Sequence, residues 1–245
     1  MRLGILQTGW VPDGFAERYG EYPDIFDRFY NHKDPSVTVA GYPVVANEVP
    51  TDPYECDAWL VTGSKYGVYD DQPWIGPLKT FLLAIRAARV PLIGICFGHQ
   101  IMAEAFGGRA EKSDKGWGCG VHDYSFDQRP AWLGAQGPGF SMHAMHQDQV
   151  TAIPEDATRL ASSPFCEYAM LSYGDADAPD AISIQPHPEF NEDFARDLVE
   201  LRAVSMIPKD VSDTAMKSFG QPVHGDAFVR WSLDFIRGAL ARKAA

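Results

Sequence analysis

The segment PLIGIC, residues 91–96, is apolar throughout and runs directly into the helical stretch HQIMAEAFGG, residues 99–108. A strand that is apolar on both faces needs cover on both faces, which places it in a parallel sheet between two helical layers. The same grammar recurs upstream. RLGILQTG (2–9), SVTVAGY (36–42) and CDAWLVTGS (56–64) read as strands, while Phe15 to Tyr30 and residues 74–90 have helical spacing. The first 110 residues therefore predict the doubly wound half of an α/β fold, with ligands expected at the carboxyl ends of its strands.

The texture changes after Gly116. GWGCGVHDYSF, GFSMHAMHQDQV, ATRLASS and EYAMLSYG are short strand-like pieces split by Gly, Pro and Asp, and they predict a β-rich decoration of the same domain up to about Ser172. DAISIQPHPEF (180–190) is a further buried strand stopped by prolines, and helical stretches follow at about 191–205 and 225–242. The expectation is one domain over residues 1–245, with a helical C-terminal extension over about 191–245.

A formal charge of −12, with only 21 Lys and Arg residues and no basic block, argues against nucleic acid and anionic lipid as partners. No run of about 18 apolar residues is present and the N-terminus does not read as a secretory signal, so a cytoplasmic location is expected. Cys56, Cys96, Cys119 and Cys166 are scattered, without a C-x-x-C pair, and read as reduced thiols.

Cys96 differs from the other three in its flanks. Gly94 and Gly98 bracket it in a G-x-C-x-G pattern, the cysteine counterpart of the turn that lifts a serine nucleophile out of a sheet. Cys96 also stands at the head of a helix, and a helix N-terminus or a nearby imidazolium favours a thiolate. Pro186 and Pro188 hold the chain extended around His187, so His187 and Glu189, two residues apart, project to one side. A thiol, an imidazole and a carboxylate make a nucleophile, a base and an orienter. Acyl transfer also needs backbone donors for an oxyanion: the Phe97 amide is one candidate, and Gly63 or Ser64 the other. Each feature alone has a plainer reading, as core packing for the cysteine and a strand-end pair for the histidine and glutamate.

His143 and His146, with Asp148, lack the spacing of a metal site, so neither a metal nor a cofactor is expected. Trp117 reads as hydrophobic filling, since no basic residues interleave with it.

GICFGHQ, TGS and QPHPEF, in this order, resemble the class I glutamine amidotransferases, the family with a Cys-His-Glu triad; the likeness runs from about residue 1 to 190. The resemblance implies a flavodoxin-like α/β fold with a mostly parallel central sheet, and hydrolysis of the glutamine side-chain amide through a γ-glutamyl thioester. It implies Cys96 as nucleophile, His187 as base and Glu189 as its partner. Ser64 and Phe97 then fall at oxyanion amides and Gln100 at a substrate contact.

Two departures stand out. Gly63 is followed by Ser64 rather than a second glycine, and the His-Gly-Asp turn of the guanylate-synthase branch reads His146-Gln147-Asp148. That turn is expected to hold the amino-acid end of the substrate through its backbone, and glutamine restricts it where glycine would not. About 55 residues follow Glu189, too few for a nucleotide-activating domain, so any ammonia acceptor is expected to be separately encoded. GSKYGVYDD and KGWGCGV look closer to the stand-alone branch that includes plant γ-glutamyl peptidases. The sequence thus predicts a cysteine hydrolase acting on glutamine or another small γ-glutamyl compound. A γ-glutamyl peptidase proper and a non-catalytic module of the same fold are the alternatives.

Overall fold

A computed structural model describes residues 1–134 and 137–244. Five strands form the parallel part of the sheet in the order β2 (Thr38–Tyr42), β1 (Arg2–Leu6), β3 (Ala58–Val61), β4 (Leu92–Ile95) and β11 (Ala181–Ile184). The sheet continues, antiparallel, through β10 (Met170–Tyr173), β9 (Ala157–Ser162), β6 (Gly118–Phe126) and β7 (Gly139–His146). The expected decoration is thus an extension of the central sheet: once β10 pairs antiparallel with β11, its exposed edge can be extended by hairpins rather than helical crossovers. A separate pair joins β5 (Arg109–Lys112) to β8 (Asp148–Ala152).

Alternation along the strands separates two cores. Leu3, Ile5, Leu60, Ile93, Ile95 and Ile184 face α2 (Tyr22–Asn31), α5 (Glu192–Ala203) and α7 (Gly225–Ala244). Leu6, Trp59, Val61 and Leu92 face α3 (Ile75–Ala87) and α4 (Phe97–Ala105). Helices therefore cover both faces, as the apolar strands require.

Three elements depart from expectation. The helix expected from Phe15 to Tyr30 is two helices, α1 (Phe15–Tyr19) and α2, because Gly20 turns to φ 77° between them. A helix over Lys209–Ser218, α6, was not legible: its buried side is only Ser212 and Ala215, small residues that give no apolar stripe. It packs on β6, where a Cβ on Gly120 would lie 2.7 Å from the Ala215 Cα. Strand β5, with one buried residue in four, gave no alternation long enough to read.

Candidate active site

The parallel pairing of β3, β4 and β11 brings three strand ends to one rim. Val61 is opposite Gly94 and Ile184 opposite Ile95, and beyond them the Cys96 N–H donates to the Ile184 carbonyl at 2.9 Å and the Gly98 N–H to that of Thr62 at 3.2 Å. The two glycines around Cys96 answer to contact. A Cβ on Gly94 would lie 2.6 Å from the Gly98 carbonyl carbon, and one on Gly98 would lie 2.3 Å from the Val61 oxygen. The strand can turn into α4 this tightly only without those side chains.

Cys96 carries the strain of that turn, with φ 53° and ψ −104°, one of three described non-glycine residues with positive φ. Such backbone costs about 1–3 kcal/mol and clusters at functional sites. Its side chain lies on the α2/α5/α7 face and is 5% exposed. Phe97 opens α4, so its N–H has no acceptor within the helix.

His187 follows β11 by three residues. Its N–H donates to the His143 carbonyl at 2.8 Å, an isolated bridge to β7. The antiparallel half therefore curls until its last strand meets the chain again beside β11. The His187 ring stacks on Phe190, with centroids 4.0 Å apart and planes at 7°. His187 Nδ1 donates to Glu189 Oε1 at 2.8 Å, which leaves Nε2 for the thiol side. Burial alone would lower the imidazole's pKa, but the Glu189 carboxylate and Cys96 raise it to about 10. Gly63 fits between the Cys96 and His187 side chains: a Cβ there would lie 2.9 Å from His187 Cε1 and 3.7 Å from the Cys96 Cβ. The thiol, the imidazole, the carboxylate and the Gly63-Ser64 backbone thus meet at one place.

The remaining sequence-derived positions support this centre rather than line it openly. Gln100 is 3% exposed, and its amide donates to the Asp148 carbonyl at 2.9 Å and to Gln185 Oε1 at 3.1 Å, tying the turn after β7 to α4. Ser64 Oγ donates to the Thr8 carbonyl at 2.7 Å. His146 turns inward against Phe165, with Nδ1 3.1 Å from the Asp148 carbonyl, and burial holds its pKa down to about 3. Gln147 is the single residue between β7 and β8, and its φ is not positive, so the turn does not require glycine. Among the described residues no three His, Cys, Asp or Glu side chains gather as metal ligands, and no helix is long and apolar enough to cross a membrane.

Sequence reasoning did not single out Phe190, and it weighed His143 only as a metal ligand. The aromatic directly after Glu189 was a usable signal for the first. Nothing local announces that His143, far upstream on β7, would bridge His187.

The chain is similar to known proteins in sequence and in fold. γ-Glutamyl peptidase 5 of Arabidopsis thaliana is 28% identical over 206 residues, 80% of this chain and 79% of that protein. A glutamine-hydrolysing GMP synthase component from Halobacterium salinarum is 36% identical over 174 residues, 71% of this chain and 86% of that one. The crystal structure of a glutamine amidotransferase from Thermotoga maritima superposes with a TM-score of 0.70 at 17% identity, over 97% of both chains, and shares the fold. The family model described as glutamine amidotransferase class-I matches residues 31–199, and the chain belongs to that family.

Proposed function

We propose that the protein hydrolyses the γ-glutamyl amide bond of a small γ-glutamyl compound through a thioester on Cys96. The observation that carries the reading is the left-handed Cys96 at a strand-to-helix turn, beside a His187 held by Glu189. The Cys96 sulfur attacks the γ-carbonyl, and the oxyanion takes hydrogen bonds from the Phe97 N–H and from that of Gly63 or Ser64. Nε2 of His187 gives its proton to the leaving nitrogen as the C–N bond breaks, then takes one from the water that attacks the thioester. The net change is amide plus water to glutamate plus free amine or ammonia. Gln100, His146 and Gln147 hold the turn whose backbone receives the amino-acid end of the substrate.

The favoured substrate is a γ-glutamyl peptide or amine rather than glutamine. The likeness to γ-glutamyl peptidases over four-fifths of the chain supports this. The likeness to a glutamine-hydrolysing GMP synthase component supports a second reading, in which ammonia from glutamine passes to a separately encoded acceptor. Purified protein assayed with glutamine and with γ-glutamyl dipeptides, measuring both ammonia and released amino acid, separates them. The peptidase reading expects the higher kcat/KM for the dipeptides; glutamine better by tenfold, about 1.4 kcal/mol, reverses the order. No turnover and no labelling of Cys96 by a γ-glutamyl electrophile would leave a binding module.

A further inference from the structure

We propose that Arg202 is a specificity-determining residue that binds a substrate carboxylate at the mouth of the Cys96 site, an inference that rests on the hydrolase reading above. Helix α5 starts shortly beyond Glu189, where Asn191 Oδ1 accepts the Phe194 N–H at 2.8 Å. Arg202 sits in its last turn. Its carbonyl accepts the N–H groups of Ser205, Met206 and Ile207 at 3.3, 2.8 and 3.1 Å, which fixes the backbone. The guanidinium lies over the face of Trp117, 5.8 Å from the ring centroid. In a chain with 33 acidic residues it makes no ion pair and no side-chain hydrogen bond among the described residues, although it is half-buried. Arg18, Arg86, Arg159, Arg196 and Arg237 all have carboxylate partners.

The place matters as much as the missing partner. Trp117 directly precedes Gly118, which pairs with His146 at the turn proposed to hold the substrate, and Cys119 pairs with Met145. Burial raises the Tyr22 phenol well above its ordinary range and Glu189 adds to this, while Arg202 draws it back and Cys96 adds to the rise. Burial pushes the Cys119 thiol up to about 12, again opposed by Arg202. The charges of Arg202 and Glu189 and the Cys96 thiol thus all act on one phenol, whose hydroxyl has no hydrogen-bond partner among the described residues.

A planar guanidinium backed by an indole face is suited to bidentate capture of a carboxylate, with the Tyr22 hydroxyl as an additional donor. It would also give an acidic substrate a local attraction within a protein of net charge −12. A γ-glutamyl peptide offers two such groups, the α-carboxylate of its glutamyl end and the carboxylate of its leaving group.

The test reads binding, so it does not depend on turnover. Titration calorimetry on the Cys96→Ala protein, with and without Arg202→Met, would compare γ-glutamylglycine with its C-terminal amide and its α-amide. Arg202→Met is expected to weaken γ-glutamylglycine at least tenfold while leaving unchanged the one amide that lacks the contacted carboxylate; which amide that is identifies the source. Arg202→Lys should retain part of the affinity. Equal weakening of all three ligands, no weakening of any, or no measurable binding before Arg202 is changed would overturn the proposal. Labelling of Cys96 in the unmodified protein by a γ-glutamyl electrophile reports separately on the hydrolase reading.

Discussion

Glu189 holds His187 with one carboxylate oxygen only: Oε1 accepts from Nδ1 at 2.8 Å, while Oε2 is buried with no partner among the described residues. A carboxylate arranged in this way orients and charges the imidazole but does not touch the thiol. His187→Asn is therefore expected to abolish turnover nearly as fully as Cys96→Ala. Glu189→Gln should cost roughly 10²–10⁴-fold and retain more activity than either. The double variant should be scarcely worse than His187→Asn alone, because residues acting as a unit are not additive. Log rates that fall additively would show that Glu189 has a separate role.

The same pair sets a pH dependence of stability. A histidine raised to about 10 when folded binds more proton in the native state than unfolded, so stability is full below about 6.5 and declines as pH rises toward 10. Glu189→Gln removes the carboxylate that raises it and should flatten that decline, read as the change in Tm between pH 7 and 10. An unchanged slope would mean that the imidazole is not held charged.

On the acid side the sign reverses. Burial lowers His99 and His146 to about 3, so the unfolded chain binds protons there first, and stability falls as pH drops from about 6.5 toward 3. His99→Gln should reduce the slope of unfolding free energy against pH in that window by up to one proton. Urea titrations at pH 4, 5 and 6 would read it, and an unaltered slope would place the protons elsewhere.

Cys96 separates strain from chemistry. Its φ of 53° suits glycine better than any side chain. Both Cys96→Ala and Cys96→Gly should be inactive. Cys96→Gly should unfold at higher urea than Cys96→Ala, by up to about 1–2 kcal/mol, since it alone relieves the backbone. Cys56→Ala, Cys119→Ala and Cys166→Ala should retain turnover.

The features legible in the sequence were those with local grammar. Apolar segments such as 91–96 announce parallel strands because both faces are buried, and Gly94 and Gly98 announce the elbow because neither position has room for a Cβ. The closure of the sheet onto itself was not legible: the His143–His187 bridge joins residues from β7 and the end of β11, and no spacing encodes it. Nor was Arg202, whose position depends on α5 crossing β6 to reach Trp117. Trp117 does pack against the core as the filler it reads as, and its cation comes from a distant helix rather than from neighbouring residues.

Gly63 and Gly98 should give opposite failures when each is changed to alanine. At Gly98 the new Cβ would meet the Val61 carbonyl oxygen at 2.3 Å, and backbone cannot step aside without parting α4 from β3. Gly98→Ala should therefore destabilise the fold by roughly 3 kcal/mol or more, or prevent its recovery in soluble form. At Gly63 the neighbours are side chains, His187 Cε1 at 2.9 Å and the Cys96 Cβ at 3.7 Å. A small rotation of the imidazole makes room, at the expense of its alignment with the thiol. Gly63→Ala should then keep its Tm within a few degrees while kcat falls about 10²-fold, the scale of a misplacement near 1 Å. Full activity in Gly63→Ala would show that the imidazole does not work from the position it occupies beside Cys96.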